Sequence, residues 1–545
     1  MIKLVTVKEM SAIEKDANDG GLTYEKMMEN AGKGLAKIVE AIYGPLKDRG
    51  VLGLVGSGNN GGDTLVALAY LANKGWKTSA YIVRERPAED PLVSRLKDNG
   101  GELFSVETDK KFKELTSLVA ANNVLLDGVL GTGISLPLRG KVAEVLEVVR
   151  QAVAGMPSPP YVVAVDCPSG IDLISGQAAP ECIPANLTVT MAAIKSGLFK
   201  FPASNLIGEL KIVGIGLTDE KSWIEIKRFV ADATIVKASL PQRPIDAHKG
   251  TFGTALVVAG SVNYTGAVLL AGKAAYRVGA GLVTIGIPAP LHAALAGQFP
   301  EATWLLLPHE LGVIAESALE VIEKNLDRPT ALLLGPGFGL EETTKNFLSG
   351  LIGATSSTHG GQIGFVPTRK ADKVPEKNLP PLVIDADGLK LLARIPGWHT
   401  QLPSPAVLTP HPGEMAVLAG HTIEEIQSDR LEVTEKFAKK WGHVVVLKGA
   451  YTIIASPEGN TAIIPVASPS LARAGTGDVL AGLIVGLLAQ GVDPFQAAVS
   501  GCWIHAMAGL RAEKTMGNPA SVMAGDILEA VPAILTSLEI KNEAQ

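Results

Sequence analysis

The stretch VLGLVGSGNNGGDTLVALAYLAN, residues Val51–Asn73, is the part of the sequence that best predicts the fold. Its opening run, Val51–Val55, has the length and composition of a buried strand, and a glycine-rich loop follows at once. Thr64–Asn73 then has the pattern of a helix packed against its surroundings. A strand, a tight turn and a helix in this order are the repeating unit of an α/β sheet.

The glycine-rich loop GSGNNGGD matches the spacing G-x-G-x-x-G, which is typical of a turn that directs backbone N–H groups at phosphate. Asp63 contradicts that interpretation, because its charge at the predicted helix start would repel a pyrophosphate. Asn59 and Asn60 add carbonyl and amide groups, so the loop suits polar recognition or a hard cation better. The alternative that Asp63 only caps the helix stays open.

Short apolar runs alternate with helical segments along most of the chain. Apolar strands joined by helical crossovers predict a parallel sheet covered on both faces. The alternation pauses over the more polar segment Thr218–Pro244, where we place a linker or domain boundary. The further predicted strands are Ala80–Val83, Val124–Leu126, Tyr161–Val165, Leu187–Met191 and Leu210–Val213 before this segment, and Ala255–Ala259, Leu282–Gly286, Trp304–Leu307, Ala331–Leu334, Leu382–Ile384 and Val444–Leu447 after it.

The two halves share no sequence repeat, and we therefore predict two different α/β domains. The first, at residues 1–225, should be a Rossmann-like three-layer αβα domain, and the second should span residues 226–545. The segment 354–381 is rich in Gly, Pro and Lys, and we interpret it as an inserted surface loop that holds no site residue.

Composition and charge exclude several classes of protein. The 545 residues are 47% hydrophobic and 19% charged, which is typical of a well-packed globular protein. The net charge of −6 and the lack of a basic patch argue against nucleic acid or an anionic membrane as a partner. We expect a cytoplasmic protein without a signal peptide, a disulfide framework or a membrane span, because the three cysteines form no C-x-x-C pair and the apolar stretches are interrupted.

Polar residues follow further predicted strands of the first domain. Asp127 comes after one strand, Asp166 and Ser169 come after the next, and Lys195 ends the segment TVTMAAIK. Because the carboxyl ends of parallel strands meet at one edge of a sheet, we expect these residues to gather there with Asn60. Asn60, Asp127 and Ser169 offer hard oxygen ligands for a cation, and Asp166 is a candidate general acid or base. Each residue alone is more often a turn or cap residue, but four of them at successive strand ends are hard to explain by structure only.

This set, together with TYEKMMENAG at Thr23–Gly32, resembles the NAD(P)H-hydrate epimerase family over roughly residues 1–225. The resemblance implies an enzyme that interconverts the R and S forms of NADH or NADPH hydrated on the nicotinamide ring, with Asp166 as a catalytic residue. It also implies a potassium ion (K⁺) held by Asn60, Asp127 and Ser169. Thr64 departs from the glycine that many relatives have. The residues implied in substrate binding are Asn59, Asn60, Gly61, Gly62, Asp63, Gly131, Thr132, Gly133, Ile134, Ser135, Leu136, Pro137 and Asp166.

Polar turns after strands recur in the second half, and SLARAGTGDVLAG at Ser470–Gly482 is the sharpest of them. Gly475–Gly477 can direct backbone N–H groups at an anion from a helix N-terminus. Asp478 would then lie beside a bound phosphoryl group, as a base for a hydroxyl proton. A plain helix start with an acid in its first turn is the alternative. The other turns are HKGTFG (His248–Gly253), GSVNYTGA (Gly260–Ala267), GPGFG (Gly335–Gly339), VIDADGL (Val383–Leu389), LTPHPGEM (Leu408–Met415) and LKGAYT (Leu447–Thr452).

Structural alternatives stay open for several residues of these turns. His411, which stands between two prolines, is also typical of a packed loop histidine. Asp385 and Asp387 are also typical of turn formation. Lys448, which precedes a glycine, is also typical of an exposed lysine.

The order of these motifs resembles the NAD(P)H-hydrate dehydratase branch of the ribokinase-like superfamily over about residues 230–535, which implies a ribokinase-like α/β fold. The implied reaction phosphorylates the hydroxyl of the S hydrate from ADP or ATP, with Mg²⁺ on the phosphates, and phosphate then leaves to restore NADH or NADPH. Asp478 would be the catalytic base, and Ala267, Gly337, His411 and Asp478 would face the substrate. The residues implied in nucleotide binding are Lys448, Gly449, Ala450, Tyr451, Thr452, Gly475, Thr476 and Gly477.

Together the two resemblances imply a bifunctional enzyme of metabolite repair that acts on hydrated NADH or NADPH with an adenine nucleotide, and we expect a homo-oligomer. One alternative is a small-molecule kinase of the ribokinase superfamily with an accessory binding domain. Another is a first domain that serves only as a binding or scaffold module. The choice between ADP and ATP and between the two hydrates stays open.

Overall fold

The computed structural model describes residues 1–46, 49–218, 220–353 and 379–539. The chain divides into two compact units, Ile2–Arg228 and Phe229–Gln545. This division falls inside the polar segment Thr218–Pro244. The predicted loop insertion at 354–381 lies almost entirely outside the described residues.

The first unit is built on a parallel sheet. Its strands are β1 Ile2–Val5, β2 Gly50–Val55, β3 Lys77–Ile82, β4 Glu102–Ser105, β5 Val124–Gly128, β6 Tyr161–Val165, β7 Leu187–Met191, β8 Ile194–Lys195 and β9 Glu209–Val213. A seven-stranded sheet has the order β4-β3-β2-β5-β6-β7-β9, and all its neighbouring strands are parallel. β1 pairs in parallel with β8.

Helices cover both faces of this sheet. They are α1 Val7–Asp19, α2 Tyr24–Tyr43, α3 Asn59–Asn73, α4 Pro91–Asp98, α5 Lys113–Ala121, α6 Gly140–Gly155 and α7 Lys221–Ile224. Val51 and Val55 of β2 pack into a core with α1, α2 and α3, whereas Leu52 and Leu54 pack into a core with α5 and α6. Successive side chains of a strand point to opposite faces, so a continuously apolar strand needs cover on both sides. The predicted three-layer αβα arrangement is confirmed.

The second unit contains another sheet that is mostly parallel. Its strands are β10 Arg228–Val230, which spans the division between the units, β11 Thr254–Val258, β12 Leu282–Pro288, β13 Thr303–Leu307, β14 His309–Glu310, β15 Val313–Ile314, β16 Ala331–Leu334, β17 Leu382–Ile384, β18 Val407–Leu408, β19 Val444–Leu447, β20 Ile453–Ala455 and β21 Thr461–Ile463. The order β13-β12-β11-β16-β17-β18-β19 is parallel throughout, and β20 and β21 continue it as antiparallel strands.

The helices of the second unit also cover both faces of their sheet. They are α8 Ala233–Ser239, α9 Thr265–Arg277, α10 His292–Leu295, α11 Ala318–Glu323, α12 Glu342–Leu351, α13 Asp387–Leu392, α14 Pro412–Ala419, α15 Ile423–Ser428, α16 Arg430–Trp441, α17 Thr476–Ala489, α18 Pro494–Met516 and α19 Ala524–Glu539. Ala255 and Val257 of β11 pack into a core with α9, α17 and α18, and Leu256 and Val258 pack into a core with α12 and α13. No helix in the described part of either unit has the length and hydrophobicity needed to span a bilayer.

Close packing of α17 on α9 fixes the position of the turn at Gly475–Asp478, which is called the GTGD turn below. A Cβ atom added to Gly482 would lie 2.2 Å from the carbonyl oxygen of Ala271, and one added to Gly486 would lie 2.8 Å from Ala275. Only glycine leaves room for this approach at two positions one helical turn apart. The N-terminus of α17 is therefore held firmly over the sheet.

The three cysteines, Cys167, Cys182 and Cys502, are buried and form no disulfide. Burial raises the pKa of each thiol, to about 12 for Cys182. They therefore remain neutral, small apolar side chains of the core.

Candidate active sites

The first unit has a cleft beside the carboxyl ends of β2, β5 and β6. Helices α1 and α2 give it an apolar wall, which includes Met10 and Met27. Four ionisable side chains also line the cleft, and they are Glu14, Asp63, Asp166 and Lys195. Of the residues predicted to bind substrate, the lining contains Asn59, Asn60, Asp63, Thr132 and Asp166.

Asp166 is held in one orientation by its neighbours. Its backbone has a left-handed φ of 65° directly after β6, an uncommon conformation for a residue with a side chain. Its Oδ1 accepts hydrogen bonds from Thr190 Oγ1 at 2.9 Å, from the Met191 N–H at 3.0 Å and from Lys195 Nζ. Lys195 is 2% exposed and also donates to the Met191 carbonyl at 2.9 Å. The other oxygen, Oδ2, forms no hydrogen bond within the described residues, so it is available to a ligand in the cleft.

Asp63 is not a helix cap. α3 begins at Asn59 with Gly58 as its N-cap, and Asp63 lies in the second turn, so the capping interpretation is wrong. The Asp63 residue is only 5% exposed, and within the described residues its carboxyl group forms no hydrogen bond. Burial raises its pKa well above the ordinary value, and the charges of Asp166 and Glu14 add to this effect while Lys195 opposes it. These surroundings therefore favour the protonated form of the Asp63 carboxyl group.

Glu14 is a member of the cleft that the sequence interpretation missed. Met10, Ile13 and Ala17 form the buried face of α1, and Glu14 lies one turn after Met10 on that face. Burial raises the pKa of Glu14, and Asp166 adds to this effect against Lys195. An acid within the apolar stripe of an amphipathic helix is the signal that would have identified it.

The predicted cation ligands Asn60, Asp127 and Ser169 come together around Leu130. Ser169 donates to Asp127 through its N–H at 2.8 Å and its hydroxyl at 2.5 Å, and its Oγ accepts from the Leu130 N–H at 2.9 Å. Asn60 Nδ2 donates to the Leu130 carbonyl at 3.1 Å. Asp127 is fully buried and, within the described residues, pairs with no cationic side chain, so burial raises its pKa. A buried acid within a set of oxygen donors fits a hard cation.

The remaining predicted substrate residues of this unit are packed glycines near the cleft and a segment outside its lining. Gly61 and Gly62 are buried by packing, since added Cβ atoms would lie 2.0 Å from the Gly56 carbonyl and 2.5 Å from Met28 Sδ. Gly131 adjoins Asn60, because its Cβ would lie 2.7 Å from Asn60 Oδ1. The structure does not bring Gly133–Pro137 into the lining of the cleft, although Thr132 belongs to it.

In the second unit, Lys448 follows β19, Asp385 follows β17, and the two form a buried ion pair across the end of β18, which lies between these strands. Lys448 Nζ lies 2.7 Å from Asp385 Oδ1 and 3.8 Å from Glu414 Oε2. Thr409 Oγ1 donates to the same Asp385 oxygen at 2.7 Å. Lys448 is 17% exposed and Asp385 1%, so Lys448 is not an exposed lysine and Asp385 does more than form a turn.

The GTGD turn lies against this ion pair. A Cβ atom on Gly477 would lie 3.6 Å from Lys448 Nζ and 3.8 Å from Asp385 Oδ2. Gly475 is the N-cap of α17 with a φ of 89°, which favours glycine, and Asp478 stands in the first turn. Burial, together with the charge of Asp385, raises the pKa of Asp478 to about 7, against the lowering effect of Lys448. Asp478 can therefore accept or hold a proton at neutral pH.

The predicted substrate residues of this unit take different roles. Gly337, with a φ of 66°, approaches Ala267, since an added Cβ would lie 3.2 Å from Ala267 Cβ. His411 caps α14, because its Nδ1 accepts from the N–H groups of Gly413 at 3.0 Å and Glu414 at 3.2 Å. Its ring is 51% exposed, so the packed-histidine interpretation is wrong. Partial burial of the ring, together with the charge of Lys448, lowers the pKa of His411 and so favours the neutral ring.

Arg430 shapes the predicted nucleotide loop and was missed from the sequence. Its Nη2 donates to the carbonyl groups of Leu447 at 3.0 Å and Lys448 at 3.3 Å. Gly449 has a φ of 142°, and an added Cβ would lie 2.7 Å from Arg430 Nη1. Burial lowers the pKa of Arg430 to about 10, so it is still charged. Arg430 fixes the backbone from which Lys448 projects.

Comparison with known proteins agrees with this division into two sites. The family model described as NAD(P)H-hydrate dehydratase matches residues 255–533, and that of the YjeF-related protein N-terminus matches residues 24–197. The bifunctional NAD(P)H-hydrate repair enzyme of Moorella thermoacetica is 34% identical, over 99% of this chain and 98% of that protein. That of Salinibacter ruber is also 34% identical, over 97% of this chain and 96% of that protein. A crystal structure of the ADP/ATP-dependent NAD(P)H-hydrate dehydratase of Bacillus subtilis, co-crystallized with ATP/Mg²⁺, is 28% identical with a TM-score of 0.45, over 57% of this chain and 98% of that one.

Proposed function

Since the chain belongs to the bifunctional NAD(P)H-hydrate repair enzymes, we propose that it restores hydrated NADH and NADPH in two steps. An epimerase domain, residues 1–225, interconverts the R and S hydrates. A dehydratase domain, residues 226–545, converts the S hydrate to NADH or NADPH, with ADP or ATP consumed and AMP or ADP released with phosphate. The observation that carries this proposal is the position of Asp478, in the first helical turn beside a buried lysine–aspartate pair.

The dehydratase site activates a poor leaving group. Asp478 takes the proton of the substrate hydroxyl while that oxygen attacks the terminal phosphoryl group of the nucleotide. Gly475–Gly477 direct backbone N–H groups at the moving phosphoryl charge, and Lys448 supplies a positive charge 3.6 Å from the position of a Gly477 Cβ. Phosphate then leaves with its bonding electrons, and loss of a proton from the adjacent ring carbon restores the double bond. Ala267, Gly337 and His411 face the hydrate in this assignment.

The epimerase site uses Asp166 as its acid–base group. Lys195 and the Met191 N–H hold one carboxylate oxygen, and the free Oδ2 accepts or returns a proton at the substrate. Asn59, Asn60 and Thr132 line the cleft and provide polar contacts to the hydrate. Buried, charge-paired side chains of this kind favour an active site over a scaffold module.

Potassium would be held by Asn60, Asp127 and Ser169. The ion would supply the positive charge that the buried Asp127 carboxylate lacks, and so keep the loops after β5 and β6 in place beside Asp166. Magnesium would arrive with the nucleotide and be held largely by its phosphates, since the described residues contain no group of three or more His, Cys, Asp or Glu side chains placed to bind a metal. Lys448–Thr452 and Gly475–Gly477 bind the nucleotide in this assignment.

We place the enzyme in the cytoplasm, as a homo-oligomer whose ligands are small molecules. The net charge of −6 supports the absence of nucleic acid among its partners.

The test is recovery of NADH absorbance from separate R and S hydrates, with ADP and with ATP. Asp166→Asn should abolish use of the R hydrate and leave use of the S hydrate intact. Asp478→Asn should abolish NADH recovery from both and leave R/S exchange intact. Accumulation of a stable phosphorylated product without NADH would instead support the small-molecule kinase, which the full-length similarity to repair enzymes argues against.

A further inference from the structure

We propose that Asp63 is a second catalytic acid–base group of the epimerase site, which works with Asp166 from a different structural element. This inference rests on the proposed function and deepens it. Asp63 projects from α3, whereas Asp166 stands at the end of β6, and both side chains line the same cleft.

The chemistry of the substrate requires two proton transfers. Dihydronicotinamide is an enamine, so water adds with its hydroxyl on the ring carbon next to nitrogen. Exchange of R and S breaks this C–O bond while the nitrogen lone pair forms a C=N bond, and the departing hydroxide takes a proton to leave as water. A water molecule then adds to the other face and loses a proton, while the C=N electrons return to nitrogen. An acid is needed for the departure and a base for the return.

In each direction of the R/S exchange, Asp166 can serve as the acid or as the base but not as both. Its Oδ1 is occupied by three donors, one of which is the ammonium group of Lys195. These donors hold one carboxylate oxygen in place and leave Oδ2 facing the cleft as a proton acceptor. In the resting cleft Asp166 is therefore the base.

Asp63 has the opposite surroundings. The Asp63 residue is only 5% exposed, and within the described residues it has neither a cationic partner nor a hydrogen bond. The charged groups that face it are Glu14 of α1, Asp166 and Lys195, and the Tyr24 phenol of α2 also lines the cleft. A carboxyl group that lines a cleft and has no hydrogen-bond partner in the protein is available to a ligand there. Burial, and after it the charges of Asp166 and Glu14, raises the pKa of Asp63 and so favours the protonated form, which can donate a proton.

The proton balance closes over one inversion. Asp63 gives its proton to the departing hydroxide, and Asp166 receives one from the incoming water. The resulting state, with Asp63 ionised and Asp166 protonated, is the one needed to convert S back to R. Proton transfer through solvent restores the resting state.

The experiment measures R/S exchange by the full-length enzyme without nucleotide, so that the dehydratase site is idle. Asp63→Asn should lower kcat by about 100-fold or more, with a KM for the R hydrate close to that of the wild type. Glu14→Gln should move the alkaline limb of the kcat profile to lower pH, because loss of the Glu14 charge lowers the pKa of Asp63. Each inversion should introduce one oxygen atom from isotope-labelled water. Glu25→Gln, an exposed acid of α2, is the matched control.

The outcomes separate this inference from the proposed function. A wild-type enzyme that does not exchange R and S hydrates overturns the epimerase assignment itself. A wild-type enzyme that exchanges them, with Asp63→Asn at near-normal kcat, overturns the role of Asp63 alone. The role is also overturned if Asp63→Asn is inactive while Glu14→Gln leaves the pH profile unchanged, or if no labelled oxygen enters the product.

Discussion

Lys448 Nζ lies 2.7 Å from Asp385 Oδ1, and this pair adjoins the helical turn that carries Asp478. The two charges act on Asp478 in opposite directions, since Asp385 raises its pKa and Lys448 lowers it. Burial adds to the effect of Asp385, and the result is a carboxyl group with a pKa of about 7. A general base is most effective when its pKa lies near the working pH.

The pKa of Asp478 predicts the pH dependence of dehydration. The carboxylate is the form that accepts a proton, so kcat on the S hydrate should rise with pH around a midpoint near 7 and then level off. Asp385→Asn removes a charge that raises this pKa, and the midpoint should move to lower pH. Rate profiles at saturating nucleotide give the result, with Glu529→Gln on α19 as an exposed control. A midpoint unchanged in Asp385→Asn would contradict the role of the pair.

Gly477→Ala should leave the GTGD turn folded but slow dehydration. The new methyl group would make ordinary contacts, at 3.6 Å from Lys448 Nζ and 3.8 Å from Asp385 Oδ2, and alanine favours a helix. It would also occupy the space next to the transferred phosphoryl group, so we expect dehydration to slow by about 100-fold. Gly525→Ala, whose Cβ meets nothing within 4 Å, is the matched control. Equal activity of the two variants would exclude phosphoryl binding at Gly477.

Arg430→Lys should weaken nucleotide binding. A lysine cannot reproduce the planar fork that donates to both the Leu447 and Lys448 carbonyl groups. The loop then loses its fixed shape, and the KM for ADP or ATP should rise by about tenfold, which corresponds to about 1.4 kcal/mol. The KM for the S hydrate should stay the same. Arg511→Lys, on the exposed side of α18, should behave as the wild type in both measurements.

Potassium should stabilise the first domain through Asp127. A ligand that binds only the folded state raises its stability in proportion to the logarithm of its concentration. Thermal unfolding followed in KCl should therefore show a higher midpoint than in choline chloride of equal concentration. Asp127→Asn should abolish this difference, because the buried charge that attracts the ion is gone. A potassium effect retained in Asp127→Asn would place the ion elsewhere.

Local sequence pattern was sufficient to predict most strands of the two sheets and most of the site residues that follow them. Val51–Val55 and Val444–Leu447 are uninterrupted apolar runs that are buried on both faces, so composition alone identifies them. A strand of two residues carries no periodic signal, so the bounds of β18, Val407–Leu408, were not predicted, and only the polar turn after it was recognised.

Side chains that reach a site from a neighbouring helix were the ones that could not be predicted. Glu14 and Arg430 lie on α1 and α16, far along the chain from the turns they serve. Their roles arise from packing between distant segments, which spacing does not encode. Asp63 was assigned to the substrate site, but it was placed at the start of the helix. The helix already begins at Asn59, so Asp63 lies in its second turn.

Burial of all three cysteines protects their thiol groups from chemical attack. Oxidants and alkylating agents attack the thiolate, and the raised pKa values leave very little of that form at neutral pH. An enzyme that repairs a damaged redox cofactor thus offers peroxide and electrophiles no accessible sulfhydryl group.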